Sequence, residues 1–302
     1  MEQFAALTDD DTKNGMPPWQ GLAPSALNSV NRRFLPKEMD AGDISIVQEC
    51  FREAVKRAVD AGFEIIEIHG AHGYLLHQFL SPTSNLRTDS YGGDLQGLSQ
   101  KLGYLRDLGV NALYLNPVFQ SPTHHKYNAT SFVHIDEHYG AGGDYHAAES
   151  SENLLDPTTW TWTASDRIFL DFLREAKQAG FRVIIDGVFN HVGTAHPAFR
   201  DVQQQGEASP YADWFSVHSW DPFEYDGWAG HGELPVFRKS DDGLAARAVK
   251  RHILAITRRW MDPDGDGDPS DGIDGWRLDV PNEIAMPFWE EWCKFVRTIN
   301  PD

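Results

Sequence analysis

One unit recurs along this chain: an amphipathic helix, a short turn that contains glycine, and an apolar strand. The predicted helices, each with the strand that follows it, lie at about 44–61 and 64–68, 95–108 and 110–115, 165–179 and 182–186, and 245–261 and 273–280. A last helix is predicted near 286–299. Because parallel strands need a crossover connection that is usually helical, this alternation predicts a parallel sheet.

Polar side chains follow the predicted strands at the points where the strands end. The residues concerned are His69, His72, Asn116, Asp186, Asn190, His191 and Asp279. In a (β/α)₈ barrel, reactive residues lie at those points. The sequence therefore predicts an α/β fold, a partial (β/α)₈ TIM barrel with about four strand–helix units, whereas a closed barrel needs eight. A stretch rich in Gly, Pro, Asp and Trp at about 193–244 is predicted as an excursion after the third strand.

Charge and composition narrow the class of protein. In 302 residues, 26 Lys and Arg stand against 45 Asp and Glu, and the net charge of −19 argues against nucleic acid or a membrane as a partner. No apolar run approaches the roughly 20 residues of a membrane helix, and no signal peptide is visible, so a cytoplasmic protein is expected. Cys50 and Cys293 lie in helix-like stretches and are predicted to be buried free thiols.

Two short motifs carry candidate chemistry. Asp186, Asn190 and His191 stand together at one strand end, where they could bind a polyol or a metal ion, or could satisfy the backbone of their own loop. Arg277 and Asp279 are two residues apart on one strand, so their side chains share a face. A buried cation beside a carboxylate lowers the carboxylate pKa and keeps it ionised, as the nucleophile of a glycosidase requires. A structural ion pair is the alternative.

Two further clusters have the residue types of metal ligands. His69 and His72 lie at a strand end, but no Cys, Asp or third His accompanies them at a supporting spacing. Asp262, Asp264 and Asp266 alternate with glycine in an acidic loop, a pattern that suits Ca²⁺. The loop is not an EF-hand, because Ile273 takes the position of the bidentate glutamate. A solvated acidic turn is the alternative.

Taken together, several motifs resemble the α-amylase family (glycoside hydrolase family 13), and most of all its neopullulanase, cyclomaltodextrinase and α-glucosidase-like members. They are Asp186-Gly-Val-Phe-Asn190-His191, Gly275-Trp-Arg277-Leu-Asp279, Gly92-Gly-Asp-Leu-Gln-Gly97, Leu115-Asn-Pro-Val-Phe-Gln-Ser-Pro122 and His125-Lys-Tyr127. The resemblance covers about residues 92–302. It implies retaining hydrolysis of α-glucosidic bonds in an α-glucan or maltooligosaccharide.

The same resemblance implies a role for individual residues. Asp279 would be the nucleophile and Arg277 its positioning partner. His191 and Tyr127 would contact the sugar, Tyr127 by stacking, and Asp186 would brace that subsite. Asn190 would be structural or, in some relatives, a calcium ligand.

The sequence also departs from the family. Asn128 and Ser131 stand where the family usually has aspartates. The family's general-acid glutamate lies on the next strand and a further aspartate lies two strands later, whereas this sequence ends at Asp302; Glu283 is a poor substitute. A retaining mechanism needs two carboxyl groups roughly 5–5.5 Å apart, so we expect negligible hydrolysis by this chain.

The N-terminal part resembles another family. Glu67-Ile-His69-Gly-Ala-His72-Gly-Tyr74, continuing to Pro82 and then Asn85 to Gly93, resembles the old yellow enzyme family of flavin-dependent ene-reductases over about residues 16–93. In that family the pair at His69 and His72 binds the substrate carbonyl over FMN. The family's first flavin-binding strands and its phosphate-binding loops have no counterpart here, so FMN is not expected to bind.

The two resemblances meet near Tyr91, which indicates a chimera with three parts. These are an extended arm at 1–40, a helix–strand unit at 41–93, and a truncated amylase-type barrel at 94–302. Two alternatives to a glycosidase remain: a remnant of an ene-reductase, and a non-catalytic carbohydrate-binding half barrel. A half barrel exposes sheet edges and apolar faces, so self-association is also predicted.

Overall fold

A computed structural model of the chain describes residues 21–27, 35–69, 74–80, 84–85, 87, 93–123 and 125–301. The chain divides into two compact units, Met1–Gly93 and Asp94–Asp302. Among the described residues, no helix has both the length and the apolar character that crossing a membrane requires.

The first unit is built around helix α1 (Ala41–Asp60). Asp40 caps its N-terminus: the Asp40 side chain accepts from the amide of Asp43, and the Asp43 side chain accepts from the amide of Asp40. Two short strands, β1 (Leu22–Ala23) and β2 (Lys37–Glu38), pair in parallel before this helix, and helix α2 (Leu75–Leu80) follows it.

The prediction of a strand at 64–68 is wrong. These residues pair with no strand in the described part of the chain, and Ile65 is 88% exposed. Their alternating Glu and Ile residues suit a strand, but an isolated strand leaves its backbone groups without partners, and β1 and β2 already pair with each other. The count of four strands therefore falls to three in the main sheet.

The main sheet lies in the second unit and has three parallel strands, β3 (Ala112–Leu115), β4 (Arg182–Gly187) and β9 (Gly275–Leu278). They are adjacent in that order, with β4 in the middle. The main helices are α3 (Leu95–Asp107), α5 (Ala164–Gln178), α7 (Arg247–Met261) and α8 (Met286–Ile299), and a short helix, α4 (Tyr145–Ser151), precedes α5. The four main helices confirm the predicted ones to within two residues at each end, whereas α4 was not predicted.

One face of the sheet packs on the helices and the other is open. On β3, Leu113 and Leu115 are buried while Ala112 and Tyr114 are exposed, the alternation of a strand with one covered face. The core beneath the covered face includes Phe169, Val183, Ile185 and Trp260, each without exposed surface. The open face carries Tyr114, Asp186 and Arg277.

The excursion after β4 folds back over the end of that strand. It contains helix α6 (Pro197–Gln205) and two hairpins, β5 (Val217–Trp220) with β6 (Phe223–Tyr225) and β7 (Lys239–Ser240) with β8 (Gly243–Leu244). His191 forms a bridge with Val236, and the amide of Phe237 donates to the carbonyl of Asn190 at 3.1 Å. The excursion therefore forms a wall beside the residues that follow β4.

Both cysteines are exposed, which corrects the prediction of buried thiols. Cys50 lies on α1, a helix of which only Ile44 is buried. Cys293 lies one residue after Trp292, which faces the core; successive residues of a helix are about 100° apart, so Cys293 faces away from the core.

Candidate active site

Asp186 is the centre of a polar cluster on the open face of the sheet. It is the fifth residue of β4 and has no exposed surface. The hydroxyl groups of Tyr114 and Tyr127 both donate to its Oδ2, at 2.7 and 3.0 Å. Nη1 of Arg277 lies 3.1 Å from each carboxylate oxygen. Every donor to this buried carboxylate therefore comes from a different segment of the chain.

Arg277 joins Asp186 to Asp279. It is paired with Asp186 in the register of β9 on β4, and its Nη1 also donates to Oδ1 of Asp279 at 2.7 Å. The guanidinium side chain is 43% exposed, so the cation is not buried as the sequence suggested, because this face of the sheet is open. The predicted shared face of Arg277 and Asp279 is confirmed.

Burial and hydrogen bonding act against each other on these groups. Burial raises the pKa of Asp186 above its ordinary value, and the hydrogen bond from Tyr114 opposes it first, followed by the charge of Arg277. Burial also raises the pKa of Tyr114 and of Tyr127, and the charge of Asp186 raises both further. Both phenols therefore stay protonated and keep donating. Partial burial lowers the pKa of Arg277, but the two carboxylates more than offset it, and the net pKa is raised.

His191 is held in one tautomer. Nδ2 of Asn190 donates to its Nδ1 at 3.1 Å, so Nε2 carries the proton and donates to the carbonyl of Tyr127 at 3.2 Å. The imidazole is stacked on Trp228, with ring centroids 5.6 Å apart and planes inclined by 18°. Burial lowers the pKa of His191, which keeps the ring neutral. Here the ring supports Tyr127; its predicted contact with sugar stays a prediction.

Tyr127 is placed by the loop that precedes it. Lys126 adopts a φ of 60°, in the left-handed region that non-glycine residues rarely enter. Its buried ammonium lies 2.7 Å from Oδ2 of Asp136, which is buried too. The next amide, that of Tyr127, donates to Nδ1 of His125 at 3.2 Å. Because the chain turns sharply at Lys126, the Tyr127 hydroxyl reaches Asp186.

The two departures from the family pattern have local partners. Oδ1 of Asn128 accepts a hydrogen bond from the hydroxyl of Ser121 at 2.8 Å. The hydroxyl of Ser131 accepts from the amide of Val133 at 3.0 Å. Both side chains therefore stabilise their own loop.

Comparisons with known proteins find two families along the chain. Residues 165–294 match the family described as "Alpha amylase, catalytic domain", and residues 7–97 match the "NADH:flavin oxidoreductase / NADH oxidase family". The intracellular maltogenic amylase of Bacillus subtilis is 36% identical over 216 residues, which is 71% of this chain and 31% of that protein. Neopullulanase 2 of Thermoactinomyces vulgaris is 37% identical over 219 residues, 72% of this chain and 32% of that protein.

Comparison with solved structures also finds hydrolases of α-glucans. The cyclic α-maltosyl-(1→6)-maltose hydrolase of Arthrobacter globiformis, in complex with maltose, superposes with a TM-score of 0.55 at 32% identity, over 70% of this chain and 41% of that one. The type III pullulan hydrolase of Thermococcus kodakarensis gives a TM-score of 0.55 at 34% identity, over 70% of this chain and 32% of that one. The second unit resembles the α-amylase family. Both resemblances seen in the sequence are thus confirmed, and the fold of the amylase-like unit is consistent with a partial (β/α) barrel. The chain spans about a third of the length of the curated relatives it matches.

The acidic loop of the amylase-like unit gathers a different set of residues from the one predicted. Asp262, Asp264 and Asp271 each place a carboxylate oxygen within 4.8 Å of the others. Asp266 is not in this group; its carboxylate accepts from the amide of Asp268 at 2.7 Å, which turns it along the loop. Asn190 belongs instead to the cluster at the end of β4. Burial raises the pKa of Asp271, and the charge of Asp264 raises it further. Ca²⁺ binding at this loop stays a prediction.

In the first unit, the structure describes only one of the two predicted histidines. His69 is exposed, with its ring centroid 5.5 Å from that of Tyr74, and His72 lies outside the described residues. Among the residues that the structure describes, the acidic group just given is the single one with three His, Cys, Asp or Glu ligands in reach of one ion.

Sequence reasoning missed Tyr114, Lys126 and Asp136. Tyr114 carried a usable signal, since it lies two residues before the polar strand end at Asn116 and so shares its face. For Lys126 and Asp136 there was no such signal, because their contact joins two points of an irregular loop.

Proposed function

We propose that the amylase-like unit binds the α-glucosyl part of a maltooligosaccharide at the cluster of Tyr127, Asp186, Arg277 and Asp279. The observation that carries this proposal is the bridge made by Arg277, whose Nη1 contacts both Asp186 and Asp279. It holds the carboxylate of Asp279 at the end of β9, with 14% of the side chain exposed. The solved relative in complex with maltose supports the choice of sugar.

In the hydrolysis that we propose for this site, Asp279 is the nucleophile. Its carboxylate oxygen forms a bond to the anomeric carbon while the glycosidic C–O bond breaks, and the departing oxygen must receive a proton from a second carboxyl group about 5–5.5 Å away. Asp186 is unsuited to this, because it is fully buried and already holds three donors. Glu283 is engaged 3.4 Å from the ammonium of Lys239. We therefore expect the chain to bind α-glucosides and to hydrolyse them negligibly.

Calorimetry with maltotriose tests the binding half of this proposal. Arg277→Gln removes the bridge and is expected to abolish the heat of binding. The matched control is Arg174→Gln, which removes an exposed arginine that pairs with Asp171 on α5 at 2.8 Å, and should bind like the unsubstituted protein. If Arg277→Gln releases as much heat of binding as Arg174→Gln, the cluster is not the binding site.

Turnover of maltotriose tests the catalytic half, because its leaving group is a sugar hydroxyl that must be protonated as it departs. We expect no release of glucose above the background rate. Measurable turnover that Asp279→Asn abolishes, and that the surface variant Asp171→Asn retains, would show that this chain is a complete hydrolase and overturn the expectation.

The match to the flavin family over residues 7–97 favours one second candidate, a remnant of an ene-reductase. Our proposal is that this unit does not retain FMN. Its support is the exposed segment at 64–68, which pairs with no strand among the described residues and so leads to His69 without a strand that would orient an imidazole over a flavin. Incubation with FMN followed by gel filtration tests this; flavin absorbance that elutes with the protein would establish the second candidate.

A further inference from the structure

Tyr114 and Arg277 contact Asp186 on the same open face of the sheet, from the two strands that flank β4. Tyr114 is on β3 and Arg277 is on β9, the two neighbours of β4, on which Asp186 lies. The Tyr114 hydroxyl is 2.7 Å from Oδ2 of Asp186, closer than the hydroxyl of Tyr127 at 3.0 Å. The Asp186 carboxylate thus accepts hydrogen bonds from both adjacent strands. A phenol on a strand, with its ring fixed by the backbone, is a more rigid donor than one on a loop.

These hydrogen bonds fix the orientation of the Asp186 carboxylate. Arg277 contacts the two oxygens of Asp186 at equal distances of 3.1 Å with a single nitrogen, so it does not by itself select one rotation of the carboxylate. The two hydroxyl groups converge on Oδ2 alone and so select one. Oδ1 keeps Arg277 as its donor, and the same nitrogen reaches Asp279 at 2.7 Å.

We propose that Tyr114 is a positioning residue of this site: its hydroxyl orients the Asp186 carboxylate, and Asp186 in turn holds Arg277 against Asp279. This inference deepens the proposed function and rests on it. Tyr114 acts through Asp186 and is 38% exposed on the open face of the sheet. Loss of its hydroxyl leaves the ring in place and removes one donor from a carboxylate that water does not reach.

The test is the titration of the Asp186 carboxyl group, followed by NMR on protein labelled with ¹³C at the aspartate carboxyls. The resonance is assigned by its absence in Asp186→Asn. Tyr114→Phe is expected to raise the pKa of Asp186 by about one unit, because a charge-assisted hydrogen bond to the ionised form is lost. The matched control is Tyr145→Phe, which removes a hydroxyl that donates to Glu149 at 2.9 Å, outside the site. That variant should leave the titration of Asp186 unchanged.

A second substitution keeps the fold intact if Tyr114→Phe does not fold. Site-specific incorporation of 3-fluorotyrosine at position 114 preserves the shape of the side chain and makes its hydroxyl a stronger donor. It should lower the pKa of Asp186, opposite in direction to Tyr114→Phe. A merely structural role of the ring would move neither titration, so an unchanged pKa in either variant overturns the proposal.

Binding of maltotriose separates this inference from the function on which it rests. Tyr114→Phe should weaken binding about tenfold at a pH where Asp186 is half ionised, and less at neutral pH, where Arg277 and Tyr127 still hold the ionised carboxylate. If the unsubstituted protein binds no maltotriose, the proposed function fails, whatever the titration shows. If the protein binds the sugar and Tyr114→Phe leaves both binding and titration unchanged, only the role of Tyr114 fails.

Discussion

Asp186 and Arg277 occupy directly paired positions on neighbouring parallel strands, and Nη1 of Arg277 lies 3.1 Å from each carboxylate oxygen of Asp186. The register of β9 on β4 alone brings these residues side by side. Arg277 also donates to Asp279, two residues further along the chain. Register and spacing thus place a buried carboxylate, a cation and a partly exposed carboxylate next to one another.

The ion pair between Lys126 and Asp136 is the first target for a stability measurement. Both side chains are buried, and their charged atoms are 2.7 Å apart. Lys126→Met removes the cation from a buried carboxylate that keeps hydrogen bonds from Ser121 and His138, and should lower the free energy of unfolding by about 2–3 kcal/mol. Urea unfolding followed by tryptophan fluorescence measures this. Arg174→Met, which breaks an exposed pair, should change it by about 0.5 kcal/mol or less; a similar change for both would contradict the role of the buried pair.

The pH dependence of stability should carry a contribution from His134. Its Nδ1 lies 2.8 Å from Oδ2 of Asp166 and its Nε2 lies 2.8 Å from Oε2 of Glu152. Burial lowers the pKa of His134, but these two hydrogen bonds more than offset it, and the pKa is raised above its ordinary 6.5. The protonated form is therefore favoured in the folded state. This stabilisation is complete below pH 6.5 and is lost as the pH rises through the folded pKa.

Urea unfolding between pH 5 and pH 9 checks the predicted direction of the change in stability. The free energy of unfolding should fall with rising pH above 6.5 in the unsubstituted protein. His134→Gln should flatten that fall, whereas His218→Gln, at an exposed histidine in the excursion, should preserve it. A fall that persists in His134→Gln would assign the effect to another group.

A pair of glycines tests how closely the Tyr127 loop packs on the end of β4. A Cβ at Gly193 would collide with the backbone carbonyl oxygen of Asn128, next to Tyr127, whereas a Cβ at Gly103 on α3 meets nothing within 4 Å. Gly193→Ala should destabilise the protein by about 1–3 kcal/mol. Gly103→Ala should stabilise it by about 0.5–1 kcal/mol, because glycine is a poor helix residue. Thermal unfolding of both variants measures whether each is less or more stable than the unsubstituted protein. An unchanged stability of Gly193→Ala would show that the loop can move away.

Trp228 covers His191, and its removal should be visible in the titration of that histidine. Burial lowers the pKa of His191 and the indole ring supplies part of that cover. In Trp228→Ala the pKa should rise towards the ordinary value, as followed by NMR of the imidazole protons. Trp220→Ala, at another half-buried tryptophan of the excursion, is the control. An unmoved His191 in Trp228→Ala would mean that other groups keep water away.

Local sequence patterns predicted the elements of the second unit well. Helix periodicity located α3, α5, α7 and α8, because an amphipathic face is encoded within a few residues. Glycine turns marked the ends of α3 and α5, where Gly109 and Gly180 have φ values of 86° and 88°. The motif at Arg277 and Asp279 was predictable for the same reason. What failed at 64–68 was the assumption that a strand-like pattern finds a partner, since pairing depends on residues far away in the sequence.

The site was predictable only in part. Asp186, Arg277 and Asp279 follow from strand ends and spacing, whereas Tyr114 and Tyr127 reach Asp186 across 72 and 59 residues of sequence. The exposure of Arg277 depends on which face of the sheet is covered. Self-association stays a prediction; light scattering measures it, and a monomer at all concentrations would contradict it.

The central claim is that Asp279 is a working nucleophile for which neither Asp186 nor Glu283 supplies the proton, and hydrolysis of α-maltosyl fluoride tests it most directly. Fluoride leaves without protonation, so this substrate needs the nucleophile and does not need the general acid. A fluoride electrode should record release by the unsubstituted protein and by Asp171→Asn, and background release by Asp279→Asn, while maltotriose, whose leaving sugar needs a proton, is left intact by all three. Fluoride release that is equal with and without the Asp279 carboxylate would contradict the claim.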